Sequence, residues 1–130
     1  MNRPINILLI EDNSGDVTLV QEILNQSKDI AFNLLISDDL AKSFKLIASE
    51  NIHAILLDLN LPDSEGLETF RQIHRFSINV PIIIISGLSD AQLIYQTMKE
   101  GAQAYLIKGQ IENESLIRNI LFSIWSNHAP

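Results

Sequence analysis

Five residues with reactive side chains stand at matching places in this chain, each just beyond a short apolar run. Glu11 and Asp12 follow Ile5 to Ile10, Asp58 follows Ala54 to Leu57, Ser86 follows Pro81 to Ile85, and Lys108 follows Ala104 to Ile107. A carboxylate can hold a hard cation or act as a nucleophile, a hydroxyl both donates and accepts, and a lysine supplies a fixed positive charge. Any one of them alone is most simply a solvated acid or half of an ion pair. Their coincidence at four run ends argues for one shared crevice.

Three carboxylates converging from Glu11, Asp12 and Asp58 would repel one another strongly, so they require a cation or raised pKa values. Mg²⁺ answers that need, because it prefers oxygen ligands, keeps several waters and bridges carboxylates to phosphate oxygens. Lys108 is expected to add positive charge on the opposite side of the crevice. A metal and a lysine around a carboxylate nucleophile are the parts phosphoryl transfer uses, since its transition state spreads charge over the equatorial oxygens.

These residues need elements to position them. Including Phe32 to Ile36, there are five apolar runs of strand length, separated by stretches with helical spacing such as Val17, Leu19, Val20, Ile23 and Leu24, then Leu40, Phe44, Leu46 and Ile47. Strands alternating with helices imply βαβ units and a parallel sheet. Asn13 or Ser14, Asp38 or Asp39, and Ser64 are the expected helix caps, Ser89 with Gln92 is a candidate capping box, and Gly101 suits a left-handed position after a helix. The expected fold is α/β, a doubly wound, five-stranded parallel sheet in the order 2-1-3-4-5, with function at the carboxyl ends of the strands. In that order Ser37-Asp38-Asp39 lies away from the crevice and reads as a cap.

The sequence resembles the receiver domains of two-component response regulators, those of the chemotaxis receivers among them, and does so across almost its full length. The matching stretches are Ile7 to Asn13 (ILLIEDN), Leu56 to Gly66 (LLDLNLPDSEG), Ile84 to Gly87 (IISG), and Gly101-Ala102 through Tyr105 to Lys108 (YLIK). The resemblance implies a flavodoxin-like (βα)5 fold and a phosphoacceptor regulatory domain, not an enzyme acting on external substrates. It implies that Asp58 accepts the phosphoryl group, that Glu11, Asp12, Asp58 and the backbone carbonyl of Asn60 hold Mg²⁺, and that Ser86 and Lys108 bind the phosphoryl oxygens. Tyr105 matches the switch aromatic and Gly66 the sharp turn into the third helix. A sensor histidine kinase or histidine phosphotransfer protein would be the donor. Movement of Ser86 and Tyr105 would then alter the surface of the fourth helix, fifth strand and fifth helix, for an unknown effector or a homodimer.

The chain departs from the family in two places. Gly109 stands where the family usually has proline after the lysine, so a trans Lys108–Gly109 bond and a more mobile loop are expected. Leu88, two residues after Ser86, cannot orient water, so slow phosphoryl loss is expected; Asn60, two after Asp58, shares that influence. On the last helix Leu116, Ile117, Ile120, Leu121, Ile124 and Trp125 form a broad stripe, with Phe122 off it and Trp125 at its edge. These aromatics are either scattered surface residues or a partner site.

Composition narrows the classes. Nine Lys and Arg against sixteen Asp and Glu give a net charge of −7, which argues against direct nucleic-acid binding. The absence of Cys removes disulfides and thiolate sites. No run reaches membrane-span length, and Met1 to Pro4 opens no signal-peptide pattern, so a cytoplasmic protein is expected. All 130 residues are read as one receiver domain, standing alone or as the N-terminal part of a longer protein. A flavodoxin-like electron carrier is disfavoured because Glu11 and Asp12 would repel a flavin phosphate. A phosphatase acting on external substrates would need a second acid/base carboxylate just after Asp58, and a phosphorylation-independent scaffold would not need Asp58, Lys108 and the acidic pair. His53, His74 and His128 lack metal-ligand spacing, and the first two read as surface or loop residues.

Overall fold

The computed structural model describes residues 3–77 and 79–128. Five strands, β1 (Ile5–Ile10), β2 (Phe32–Ser37), β3 (Ala54–Leu57), β4 (Ile82–Ser86) and β5 (Ala104–Ile107), alternate with five helices. These are α1 (Ser14–Asn25), α2 (Leu40–Ser49), α3 (Leu67–Phe76), α4 (Ala91–Lys99) and α5 (Asn113–His128). All strand pairs in the main sheet are parallel and the order is β2-β1-β3-β4-β5, the doubly wound, flavodoxin-like arrangement expected from the sequence. Two short arms, Asn60–Leu61 and Ser64–Glu65, form an antiparallel ribbon after β3 that the apolar pattern did not announce.

The central strands read as continuous apolar runs because both faces of the sheet are covered. Leu8, Ile10, Ile55, Leu57, Ile82 and Ile84 pack with Leu40, Phe70 and Ile73 on the face of α2, α3 and α4. The alternate residues Ile7, Leu9, Ala54, Leu56, Ile83 and Ile85 meet Val20, Ile23 and Leu24 of α1 and Leu116 and Ile120 of α5. Each Leu, Ile or Val side chain among them, fully buried, contributes about 1.5–3 kcal/mol. Leu19, expected on the inner stripe of α1, is instead about half exposed at its edge.

The helix starts were legible in kind more than in detail. Asn13 accepts from the Asp16 N–H to cap α1, and Asp39 accepts from Lys42 to cap α2. The expected capping box at Ser89 is replaced by Asp90, whose carboxylate accepts from the Gln92 N–H. Ser64 does not cap α3: its hydroxyl bonds Thr69, and Gly66, at φ +67°, makes the turn with no side-chain cap. Gly101 follows α4 at φ +118°, a left-handed position that favours glycine.

Candidate functional site

Strand register gathers the site. Ile10 pairs with Leu57, and the Asp58 N–H donates to the Ile10 carbonyl at 3.0 Å, so Glu11 and Asp58 leave β1 and β3 side by side. Ser86 pairs with Ile107, and the Lys108 N–H donates to the Ser86 carbonyl at 2.8 Å. The chain reverses direction of travel across the sheet between β1 and β3, which is where an open α/β sheet forms its crevice.

The acids converge there. One carboxylate oxygen from each of Glu11, Asp12 and Asp58 lies within 4.8 Å of the others. Glu11 is 3% exposed and Asp58 6%, whereas Asp12 is open to solvent. Burial, reinforced by the neighbouring Asp58 carboxylate and opposed by Lys108, pushes the Glu11 pKa up to about 7. A cluster of hard oxygen donors that resists its own ionisation has the composition a divalent cation satisfies.

Lys108 is in contact with Glu11 and Asp58 and not across the crevice from them. Its Nζ lies 2.8 Å from Asp16, 2.9 Å from Glu11 and 3.3 Å from Asp58. Burial opposes the ammonium charge, but the bonds to Asp16 and Glu11 outweigh it and raise the Lys108 pKa. Three carboxylates thus face the three N–H donors of one ammonium. Asp16 escaped the sequence reading because it follows no strand. Its signal was helical: it lies four residues after Asp12, in the first turn of α1.

The loop beyond Asp58 is held from several sides. The Asn60 N–H donates to Asp58 Oδ1 at 3.2 Å, which fixes Asn60 beside the carboxylate. The Leu59 carbonyl accepts from the Thr69 hydroxyl at 2.8 Å and from the Gly66 N–H at 2.9 Å. Asp63 reaches across to α2, both its oxygens accepting from the Leu40 N–H at 3.1 Å.

On the other wall, fully buried Ser86 accepts the Leu88 N–H at 3.1 Å, and the Tyr105 hydroxyl donates to the Leu88 carbonyl at 2.8 Å. The Lys108–Gly109 bond is trans, and Gly109 sits at φ +86°. His53 accepts the Asn6 N–H at its Nδ1, 2.8 Å away, and His74 stacks on Phe70 within α3, so neither joins the acids. The His128 side chain lies outside the described residues. Phe122 and Trp125 are 60% and 66% exposed on α5, and their rings pair 5.9 Å apart.

Fold and site together define an α/β protein with an aspartate, an acidic pair and a lysine at the sheet's switch point. The response regulator receiver domain model matches residues 7–121, and the chain belongs to that family, the receiver domains of two-component response regulators. It is 33% identical over 114 residues to the cell cycle transcriptional regulator CtrA of Caulobacter vibrioides (strain NA1000 / CB15N), a match covering 88% of this chain and 48% of CtrA. The chain therefore spans about half the length of the curated relatives it matches. Among solved structures, the signal receiver domain of an HD domain-containing protein from Pseudomonas fluorescens Pf-5 superposes with a TM-score of 0.84 at 22% identity, over 98% of this chain and 100% of that one. The Mn²⁺-bound form of the response regulator Rcp1 gives 0.75 at 26% identity, over 98% and 97%. No helix among the described residues is long and apolar enough to cross a membrane.

Proposed function

We propose that this chain is a phosphoacceptor switch in which Asp58 takes a phosphoryl group from a phosphohistidine on a sensor kinase or histidine phosphotransfer protein. The observation that carries this reading is the buried Asp58 carboxylate, 3.3 Å from the Lys108 ammonium and clustered with Glu11 and Asp12. In the transfer, an Asp58 oxygen bonds phosphorus as the phosphorus–nitrogen bond breaks, and its electron pair stays on the imidazole, which then takes a proton from solvent. Lys108 neutralises charge growing on the phosphoryl oxygens, and the Ser86 hydroxyl donates to one of them. Hydrolysis reverses the change: water attacks phosphorus, the bond to Asp58 breaks, and the carboxylate returns with inorganic phosphate released.

The clustered carboxylates of Glu11, Asp12 and Asp58 fit Mg²⁺, with the Asn60 carbonyl as the further protein ligand of this reading, and the Mn²⁺-bound form of Rcp1 supports a divalent site in a related fold. Bound there, Mg²⁺ would offset the crowded carboxylates and accept a phosphoryl oxygen. Leu88 offers no polar group to aim water at phosphorus, so the acyl phosphate should decay slowly. The added charge of about −1.5 to −2 would draw Ser86 inward and release Tyr105, altering the surface formed by α4, β5 and α5. That surface would signal to an effector, a downstream domain or a second copy.

The direct test is to incubate the protein with a small phosphoryl donor and Mg²⁺ and locate the label by mass spectrometry. Labelling should fall on Asp58 and vanish in Asp58→Asn. Label on another residue, or none, would overturn the reading.

A further inference from the structure

We propose that Asp16 is the resting counterion of Lys108 and competes with the incoming phosphoryl group for that ammonium. The proposal rests on Asp58 being the acceptor and adds a residue that limits how readily the site fills. Of the three carboxylates on Lys108, Asp16 makes the shortest contact, 2.8 Å against 2.9 Å for Glu11 and 3.3 Å for Asp58. An ammonium has three N–H donors; here Asp16 and Asp58 accept hydrogen bonds from it and Glu11 pairs with it at 2.9 Å, so carboxylates crowd it on every side. Lys108 can bond a phosphoryl oxygen well only by releasing one of them.

Asp16 is the partner to be released. Glu11 is almost wholly buried, so water cannot take over from the ammonium there. Asp58 carries the arriving group. The Asp16 side chain is 34% exposed at the start of α1, so water can take over from the ammonium. The pair is nonetheless more than a surface ion pair, since Leu19, Val20, Ile23 and Ile111 wall the recess behind Asp16 and Lys108 and leave little room for screening water. Once displaced, Asp16 remains a negative charge near a doubly negative group. Both effects oppose occupancy, and both disappear if Asp16 is neutral.

Beryllofluoride, which mimics a phosphoryl group on an aspartate without covalent chemistry, isolates the effect. Wild type, Asp16→Asn, Asp16→Glu and Asp58→Asn are titrated with it at fixed Mg²⁺, and occupancy is read by fluorine NMR. Asp16→Asn should bind about two- to fivefold more tightly, the range set by a partly exposed ion pair. Asp16→Glu, which restores the charge, should return affinity toward wild type. Equal or weaker binding by Asp16→Asn overturns the proposal, because an ion pair that only props up Lys108 would give that result. Should the Asn variant fold poorly, Asp16→Ser carries the same expectation. If wild type binds no beryllofluoride, or Asp58→Asn binds it equally well, the acceptor reading itself fails and this proposal falls with it.

Discussion

The Tyr105 hydroxyl donates a 2.8 Å hydrogen bond to the carbonyl of Leu88, whose own N–H donates to Ser86 Oγ at 3.1 Å. One backbone unit therefore ties the hydroxyl at the end of β4 to the aromatic of β5. A shift of Ser86 toward Asp58 would stretch its bond with the Leu88 N–H and, through the Leu88 backbone, loosen the bond from Tyr105. The connection passes through main-chain atoms, so it does not depend on the Leu88 side chain.

Replacing Tyr105 with Phe should remove one partly exposed hydrogen bond, lowering stability by about 0.5 kcal/mol, while freeing the ring to sample other rotamers. Urea unfolding reads the first effect and side-chain NMR couplings the second. Leu88→Ala should leave the Tyr105 rotamer where it is. A ring fixed in one rotamer in both Tyr105→Phe and the beryllofluoride-bound protein would argue that Tyr105 is an ordinary strand aromatic.

Stability should change with pH in two opposed steps. The Arg71 guanidinium, bonded to both oxygens of Glu100, and the Gln96 amide hold the Glu100 pKa down to about 2. That contribution is present above the ordinary carboxylate pKa of 4.5 and is lost as pH falls toward 2. Glu11 works the other way: with its pKa raised from 4.5 to about 7, the folded protein holds a proton that the unfolded chain has already lost, so metal-free stability falls as pH rises across that interval. Urea unfolding from pH 3 to 8 in chelator should show the upper fall, Glu11→Gln should remove it, and Glu100→Gln should remove the lower rise.

Gly109→Pro would install the residue usual in the family but should destabilise this protein by more than about 1 kcal/mol. Proline is confined near φ −65°, whereas Gly109 lies at +86°. The expected readout is a lower denaturation midpoint with an unchanged slope. A midpoint equal to wild type would show that the loop after Lys108 readily adopts another path.

Asp63→Ala should lower stability by about 0.5–2 kcal/mol, as for loss of a helix cap, and accelerate hydrogen exchange at the Leu40 amide, which Asp63 holds with both oxygens. Because Asp63 belongs to the loop after Asp58, the same substitution should weaken Mg²⁺ binding measured by calorimetry. Unchanged exchange at Leu40 would remove Asp63 from any role in tying that loop to α2.

The apolar runs and their helical intervals were enough to specify the five strands, the five helices and a parallel sheet, because a strand covered on both faces must be apolar at every position. The same pattern predicted that Glu11, Asp12, Asp58, Ser86 and Lys108 would meet, since residues just past parallel strands share one edge of the sheet. Capping was less legible. Asp90 and Gly66 took places assigned to Ser89 and Ser64, as several polar residues near each helix start could serve and only the loop's path selects one. The Asp16 contact with Lys108 and the Asp63 bond to α2 were not legible, for each joins residues far apart in the chain through side-chain reach. The chain by itself determined which groups stand at the crevice, through strand periodicity and run ends. Only the tertiary structure decided that the Lys108 ammonium is shared among Glu11, Asp58 and a helical carboxylate, because that depends on where α1 packs against the sheet.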